Sequence, residues 1–193
     1  MFNSTKGIFN SVMAAVGGNN IVRYIYTGAV GERIPHATTH VAVMIDARVV
    51  LADAFFHSFN IVEVICHKNV EKIERGAFYY CPSLRRVIMP GVKVVEEYAF
   101  YECEILTDVE CGKLEVIGNR AFVDCKSLIS INLPSARIIG EESFCRCKAL
   151  TEVEFGNKLE RFEAGVFFQC RSLERITIPL RDGLINAEGI SSV

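Results

Sequence analysis

The fold is decided by a repeated sequence, whose clearest copy occupies residues 117–134 and reads IGNRAFVDCKSLISINLP. Its Ala-Phe pair, or a close variant, occurs six times, and successive Phe residues lie 22 or 23 residues apart. The six pairs are Ala54-Phe55, Ala77-Phe78, Ala99-Phe100, Ala121-Phe122, Ser143-Phe144 and Val166-Phe167. A period of this length is typical of a solenoid, in which each repeat forms one coil.

Cysteine recurs at one position of the repeat. The residue three after Phe is Ser58 in the first copy and Cys in the other five: Cys81, Cys103, Cys125, Cys147 and Cys170. Five thiols at one position predict a column of small buried side chains that pack between coils and do not form bridges. Cys66 and Cys111 fall at inward strand positions and are expected in the core.

Each copy predicts one coil of an α/β solenoid. Alternating apolar and polar residues, as in Ser130-Ile131-Asn132-Leu133, predict a short strand, and the Pro or Gly that follows ends it. The segment around Ala-Phe predicts a short helical turn, and a second apolar alternation predicts a column of shorter strands. A coil of this size buries its apolar face only by stacking, so about seven short parallel strands form a sheet.

The chain divides into three parts on this pattern. Residues 1–33 are predicted as an N-terminal helix and cap, with Ile8, Phe9 and Val12 on one face of the helix. Residues 34–180 form the solenoid, and residues 181–193 begin a repeat that lacks its Phe. We therefore expect an open C-terminal edge that is covered by a second copy, by another subunit or by a further C-terminal region.

These motifs resemble the BspA-type leucine-rich repeat, written roughly I-G-x-x-A-F-x-x-C-x-x-L-x-x-I-x-L-P. The resemblance covers about residues 47 to 180, and residues 117–134 match the pattern throughout. It implies a curved solenoid that binds proteins or other macromolecules and has no catalytic activity. Bacterial members of this family are often surface adhesins.

Composition excludes several classes of partner. The 193 residues carry a formal net charge of −2, which gives no reason to expect nucleic acid as a partner. No apolar stretch approaches the roughly 18 residues that span a bilayer. The N-terminal apolar run is interrupted by Asn10 and Ser11, unlike a signal peptide, which favours an intracellular protein with reduced thiols. Disulfides among the eight cysteines would instead indicate secretion.

Motifs for catalysis, cofactors and metals are weak or missing. There is no Gly-x-Ser-x-Gly sequence and no phosphate-binding glycine loop. His36 and His40 have helical spacing, but Pro35 and the strand predicted from Val41 disfavour a continuous helix there. Cys145 and Cys147 form Cys-x-Cys without a second ligand pair. We therefore expect no enzyme activity, no cofactor and no metal.

The outward side of the predicted strands is the candidate binding surface, since solenoids usually bind there. Its residues lie eight or ten positions after each Phe. The candidate partner-binding residues are Glu63, Ile65, Arg86, Ile88, Asp108, Glu110, Glu152, Glu154 and Arg175. Ala42, Ile65 and Ile88 form an apolar row, whereas Arg86 with Asp108 and Glu152 with Arg175 are expected to neutralise each other.

The leading prediction is a non-enzymatic protein–protein interaction module or scaffold, alone or as a subunit of a larger complex, with partners of unknown identity. The alternative is an extracellular or cell-surface adhesin or ligand-binding repeat protein. A competing prediction for the apolar row is that the N-terminal helix of the same chain covers it.

Overall fold

The computed structural model describes residues 23–44 and 46–178, and these residues form fourteen strands. In chain order the strands are β1 (Arg23–Tyr26), β2 (His40–Val43), β3 (Val49–Val50), β4 (Glu63–Cys66), β5 (Lys72–Ile73), β6 (Arg86–Ile88), β7 (Val94–Val95), β8 (Asp108–Glu110), β9 (Val116–Ile117), β10 (Ser130–Leu133), β11 (Ile138–Ile139), β12 (Glu152–Phe155), β13 (Arg161–Phe162) and β14 (Arg175–Thr177). The predicted N-terminal helix, which carries Ile8, Phe9 and Val12, and the incomplete coil after residue 180 lie outside the described residues.

Every strand pair is parallel and joins equivalent positions of successive coils. Val64 pairs with Val87, for example, and Ile139 pairs with Phe162. The two-residue strands form one six-stranded sheet, which confirms the predicted second column. The longer strands form two sheets, β1-β2-β4-β6-β8 and β10-β12-β14, where we expected one. Residues 23–26, which fall in the segment predicted as helix and cap, form the first strand of the longer sheet.

The repeated Phe side chains form the centre of the core. All six rings are buried, and each stacks on the next with centroids 4.8–5.8 Å apart. That spacing is close to the distance between neighbouring parallel strands, so one ring per coil fills the interior without a gap. The period of 22 or 23 residues is therefore the length of chain needed for one circuit around this column.

The predicted helical turns are wrong, because the described residues contain no helix. The residues two before and two after the repeated Phe adopt positive φ, as Arg120 (55°) and Asp124 (56°) do around Phe122. Left-handed residues on both sides leave only three residues between them, too few for a helix. The N–H of Phe122 instead donates to the carbonyl oxygen of Ser143, one coil away, at 2.8 Å. The turns thus form a third ladder of hydrogen bonds between coils.

The cysteine column has a role beyond the predicted packing. Its five thiols are buried, and each donates to the carbonyl oxygen of the Phe one coil earlier, at 3.0–3.3 Å. Cys125 Sγ donates to Phe100, for example, at 3.3 Å. A thiol therefore combines apolar volume with a donor for a buried carbonyl group. The eight cysteines, all within the described residues, are free, and Cys66 and Cys111 are buried as predicted.

Candidate binding surfaces

The outward side of the longer strands, here called the strand face, carries an apolar row. The strand register places Ile25, Ala42, Ile65 and Ile88 side by side on β1, β2, β4 and β6. Ile25 is 52% exposed, and Ile65 and Ile88 are half-buried. Ala42, predicted as exposed, is buried. Its methyl group is shorter than the side chains of Ile25 and Ile65 on the neighbouring strands, which cover it. Ile25 was missed because its coil lacks the Ala-Phe pair, although the alternation in Arg23–Tyr26 is a strand signal.

An acidic cluster adjoins this row on β4, β6 and β8. The guanidinium group of Arg86 lies 2.9 Å from the carboxylate of Asp108, 2.6 Å from Glu110 and 3.7 Å from Glu63. The hydrogen bond to Glu110 raises the pKa of Arg86. The predicted pair of Arg86 with Asp108 is therefore present, but three carboxylates surround one cation. Negative charge remains in excess beside Ile88.

The remaining candidate residues belong to the other sheet of longer strands. Arg175 on β14 forms an ion pair with Glu152 on β12, as expected, and Glu154 is exposed on β12. Because β8 and β10 do not pair, these three residues are separated from the six on β4, β6 and β8. The nine predicted residues thus form two groups, and only the first adjoins the apolar row.

A groove along the turns was not predicted. It has a volume of about 840 Å³, and its lining includes Tyr79, Tyr98, Tyr101, Arg75, Arg120 and Arg146. The rings of Tyr79 and Tyr101 stack at 4.9 Å, and Phe56 stacks on Tyr79 at 5.3 Å. One sequence signal could have indicated this groove: an aromatic residue directly follows the repeated Phe in the first three copies.

The three arginines of the turn groove are each paired with a nearby carboxylate. Arg120 donates to Glu142 at 2.8 Å and to the hydroxyl oxygen of Tyr98 at 3.1 Å. Arg75 lies 3.0 Å from Glu97, and Arg146 pairs with Asp124. The arginines of the groove are therefore neutralised by carboxylates, and the groove offers mainly aromatic edges to a ligand.

The three cysteines outside the repeated column, Cys66, Cys111 and Cys145, do not resemble reactive thiols. Burial raises the pKa of Cys66 and Cys111 to about 12 and is the main reason why the pKa of Cys145 rises to about 11. These thiols are therefore protonated at neutral pH, unlike activated nucleophiles. Within residues 23–44 and 46–178, no three His, Cys, Asp or Glu side chains are grouped as metal ligands. The same residues contain no helix suited to crossing a membrane.

Comparison with known sequences decides the family. A family model described as "BspA type Leucine rich repeat region" matches six copies over residues 49–174. The chain belongs to this family. The matched copies coincide with the six Phe repeats, so the BspA-type repeat is the structural unit defined here by the stacked rings. Among curated proteins, no sequence matches the chain.

Solved leucine-rich repeat proteins share the fold of this BspA-type chain. A T. pallidum leucine-rich repeat protein is 26% identical with a TM-score of 0.65, and the match covers 82% of this chain and 70% of that one. A Bacteroides ovatus protein is 28% identical with a TM-score of 0.61, over 80% of this chain and 36% of its own. A Eubacterium ventriosum protein, 17% identical with a TM-score of 0.62, matches over 81% and 48%. The chain thus spans about a third to a half of the latter two proteins.

Proposed function

We propose that this BspA-type solenoid is a non-enzymatic protein-binding module and that its partner contacts the strand face from β1 to β8. Leucine-rich repeat proteins generally bind other proteins. The observation that carries the proposal is the apolar row, in which Ile25, Ile65 and Ile88 lie in register with part of their surface open. Grouped outward apolar side chains mark contact surfaces more often than scattered ones do.

The acidic cluster next to the row supplies specificity. Interfaces combine an apolar centre with a polar rim, and complementary charge guides the correct partner into register. Asp108 and Glu110 lie one strand beyond Ile88 and remain exposed despite their contact with Arg86. The preferred partner surface therefore has apolar side chains opposite the row and basic side chains opposite β8.

The test is affinity capture from native extract with the wild-type chain and with the double variant Ile65→Glu, Ile88→Glu. We expect the double variant to lose the partner while its melting temperature stays nearly unchanged, because both side chains are only half-buried. Val30→Glu is the matched control, since Val30 is 93% exposed in the loop that follows β1 and is not part of the row. This control should retain the partner.

The competing prediction is that residues 1–16 cover the row within the same chain. In that case the double variant would lower the melting temperature, and deletion of residues 1–16 would lower it as well. Equal recovery of the partner by the wild-type and doubly substituted chains would refute the strand face as the binding surface.

A further inference from the structure

The pairing of the longer strands is interrupted between β8 and β10. These strands occupy successive coils but do not pair, whereas β6 pairs with β8 and β10 pairs with β12. The same two coils stay joined on their other sides: Val116 pairs with Ile138, and the N–H of Phe100 donates to Ala121 at 2.8 Å. The opening is therefore a local slot in the strand side, here called the β8–β10 slot.

Backbone groups on both sides of the slot lack partners. In other coils the N–H seven residues after Phe donates to the equivalent carbonyl one coil earlier, as Thr107 does to Arg85 at 2.9 Å and Thr151 to Ile129 at 2.8 Å. Across the slot, neither the N–H of Ile129 nor the carbonyl of Thr107 has such a partner among the described residues. One donor and one acceptor of a parallel ladder are left to solvent.

Apolar surface is open at the slot as well. Val109 is half-buried, whereas Val64 and Val153 at the same position of other coils are fully buried. Ile129 is 54% exposed at a position where two other coils carry Thr107 and Thr151. A bound chain would cover both side chains, and their burial would favour binding.

The two rims of the slot differ in charge. Asp108 and Glu110 project from β8, with Arg86 as their shared cation. Ser130 and Asn132 occupy the equivalent outward positions of β10 and are neutral. The slot therefore has an acidic rim that favours cationic side chains in a ligand.

We propose that the β8–β10 slot binds an extended peptide segment of a protein partner, in which apolar residues alternate with Lys or Arg. The backbone of an extended peptide offers an N–H group to the carbonyl of Thr107 and a C=O group to the N–H of Ile129. Its side chains alternate in direction, so apolar residues face Val109 while cationic ones face the acidic rim. This site shares Asp108 and Glu110 with the strand face but makes no use of the apolar row.

The structure limits the length of the segment. The slot is closed at one end by the N–H of Ser127, which donates to Glu104 at 3.1 Å, and at the other by Cys111 Sγ, 3.9 Å from the carbonyl oxygen of Asn132. At roughly 3.3 Å per extended residue, about three or four residues fit between these ties. Binding here breaks no existing backbone bond between β8 and β10, whereas entry between β10 and β12 would break a formed ladder.

The first test is a fluorescence anisotropy titration of the full chain with the labelled pentapeptide Val-Lys-Val-Lys-Val, whose three central residues fit between the two ties and whose ends project from the slot. The peptides Val-Glu-Val-Glu-Val and Val-Lys-Val-Lys-Val N-methylated at the central Val serve as controls. We expect at least roughly tenfold weaker binding of both controls, because one reverses the charges and the other removes a backbone donor. Equal binding of all three peptides, or no binding of the first below about 1 mM, would overturn the proposal.

Two charge-reversal variants show where the peptide binds. Glu110→Lys should reverse the preference between the Lys and Glu peptides, since Glu110 is on the acidic rim. Glu154→Lys is the matched control, because Glu154 occupies the same repeat position on β12, where the strands are paired. It should leave both affinities unchanged. A reversal by Glu154→Lys instead would place the peptide elsewhere.

Amide hydrogen exchange by NMR tests the slot without a ligand. The amide of Ile129 should exchange at least roughly 100-fold faster than that of Thr151, which is hydrogen-bonded, and the Lys peptide should slow it. An Ile129 amide as protected as that of Thr151 in the free chain would show that β8 and β10 pair in solution, and the proposal would fail.

Discussion

At the scale of single residues, the repeated Phe links each coil to its neighbours in two ways. The ring of Phe122 lies between those of Phe100 and Phe144, with centroids 5.0 and 5.3 Å away and nearly parallel planes. Its backbone N–H also donates to the coil that follows. Side chain and main chain therefore fix the same spacing, and a smaller residue would lose the ring contacts on both sides.

Replacement of the Phe122 ring should strongly lower the stability of the protein. Phe122→Ala removes a fully buried side chain from a central coil, and we expect a loss of about 3–5 kcal/mol in the free energy of unfolding, from lost burial and a cavity. Urea unfolding followed by circular dichroism measures it. Phe168→Ala is the control: Phe168 is 42% exposed and should cost under about 1 kcal/mol. A similarly small loss at Phe122 would contradict the stacked column.

The cysteines show what sequence reasoning could and could not reach at this scale. Five thiols at one repeat position indicated a buried column, and the structure confirms it. The hydrogen bond from Cys125 to Phe100 was not predicted, because it joins residues 25 positions apart whose proximity depends on how the coils stack. Repeat spacing identifies which residues are equivalent, but not which atoms of neighbouring coils meet.

At the scale of structural elements, strands were easier to predict than turns. Alternation identified β10 and β12, because an apolar–polar period of two is specific to strands. The turns were predicted as helical, yet they contain left-handed residues. Gly76 and Asp124 are residue types that favour this conformation, but Tyr98 and Glu142 adopt it without such a signal. Stacking against neighbouring coils imposes their conformation.

Two glycines that end strands should respond differently to substitution. An alanine Cβ at Gly156 would lie 2.0 Å from the carbonyl oxygen of Pro134, whereas one at Gly112 would meet no atom within 4 Å. We expect Gly156→Ala to destabilise the protein by about 1–3 kcal/mol, since a backbone atom must move, and Gly112→Ala to leave stability nearly unchanged. Thermal unfolding of both variants measures the difference. Equal melting temperatures would show that the coils near Pro134 are less tightly packed than the structure indicates.

The loop after β1 is held by one carboxylate. Glu32 accepts hydrogen bonds from the N–H groups of Thr27, Gly28 and Ala29, and from the hydroxyl of Tyr24 at 2.7 Å. Burial, together with the bond to Glu32, raises the pKa of Tyr24 to about 12. Burial of Glu32 acts in the opposite direction, but its hydrogen bonds outweigh it and lower the pKa of Glu32.

These shifts predict how the stability of the loop depends on pH. The lowered pKa means that Glu32 stabilises the folded chain above its unfolded-state pKa of about 4.3, and this contribution is lost as the pH falls through the folded-state value. The contribution of Tyr24 is complete below about pH 10 and is lost as the pH rises through about 12. The free energy of urea unfolding, measured as a function of pH, reports both contributions. Glu32→Gln should abolish the acidic change and Tyr24→Phe the alkaline one; curves like that of the wild type would contradict the assignment.

At the scale of the whole molecule, each coil contacts mainly its neighbours. The order and the number of the coils therefore follow from the repeats in the sequence. Sequence reasoning therefore predicted the solenoid and the row of Ile65 and Ile88. It did not predict the β8–β10 slot, because Asp108–Glu110 and Ser130–Leu133 fit the same strand template as their paired neighbours. The turn groove was missed for a related reason: its side chains come from several coils and converge only when the coils stack.

Protection of the strand face by a bound partner is the most direct test of the proposed function. All eight native cysteines are buried, so Ile88→Cys adds one accessible thiol, and Glu154→Cys provides a control on the other sheet. The rate of maleimide labelling is measured for each variant, alone and with the captured partner. We predict rapid labelling of both free chains and at least roughly tenfold slower labelling of position 88, but not of position 154, with the partner bound. Unchanged labelling at position 88 in a demonstrably bound complex would contradict the account.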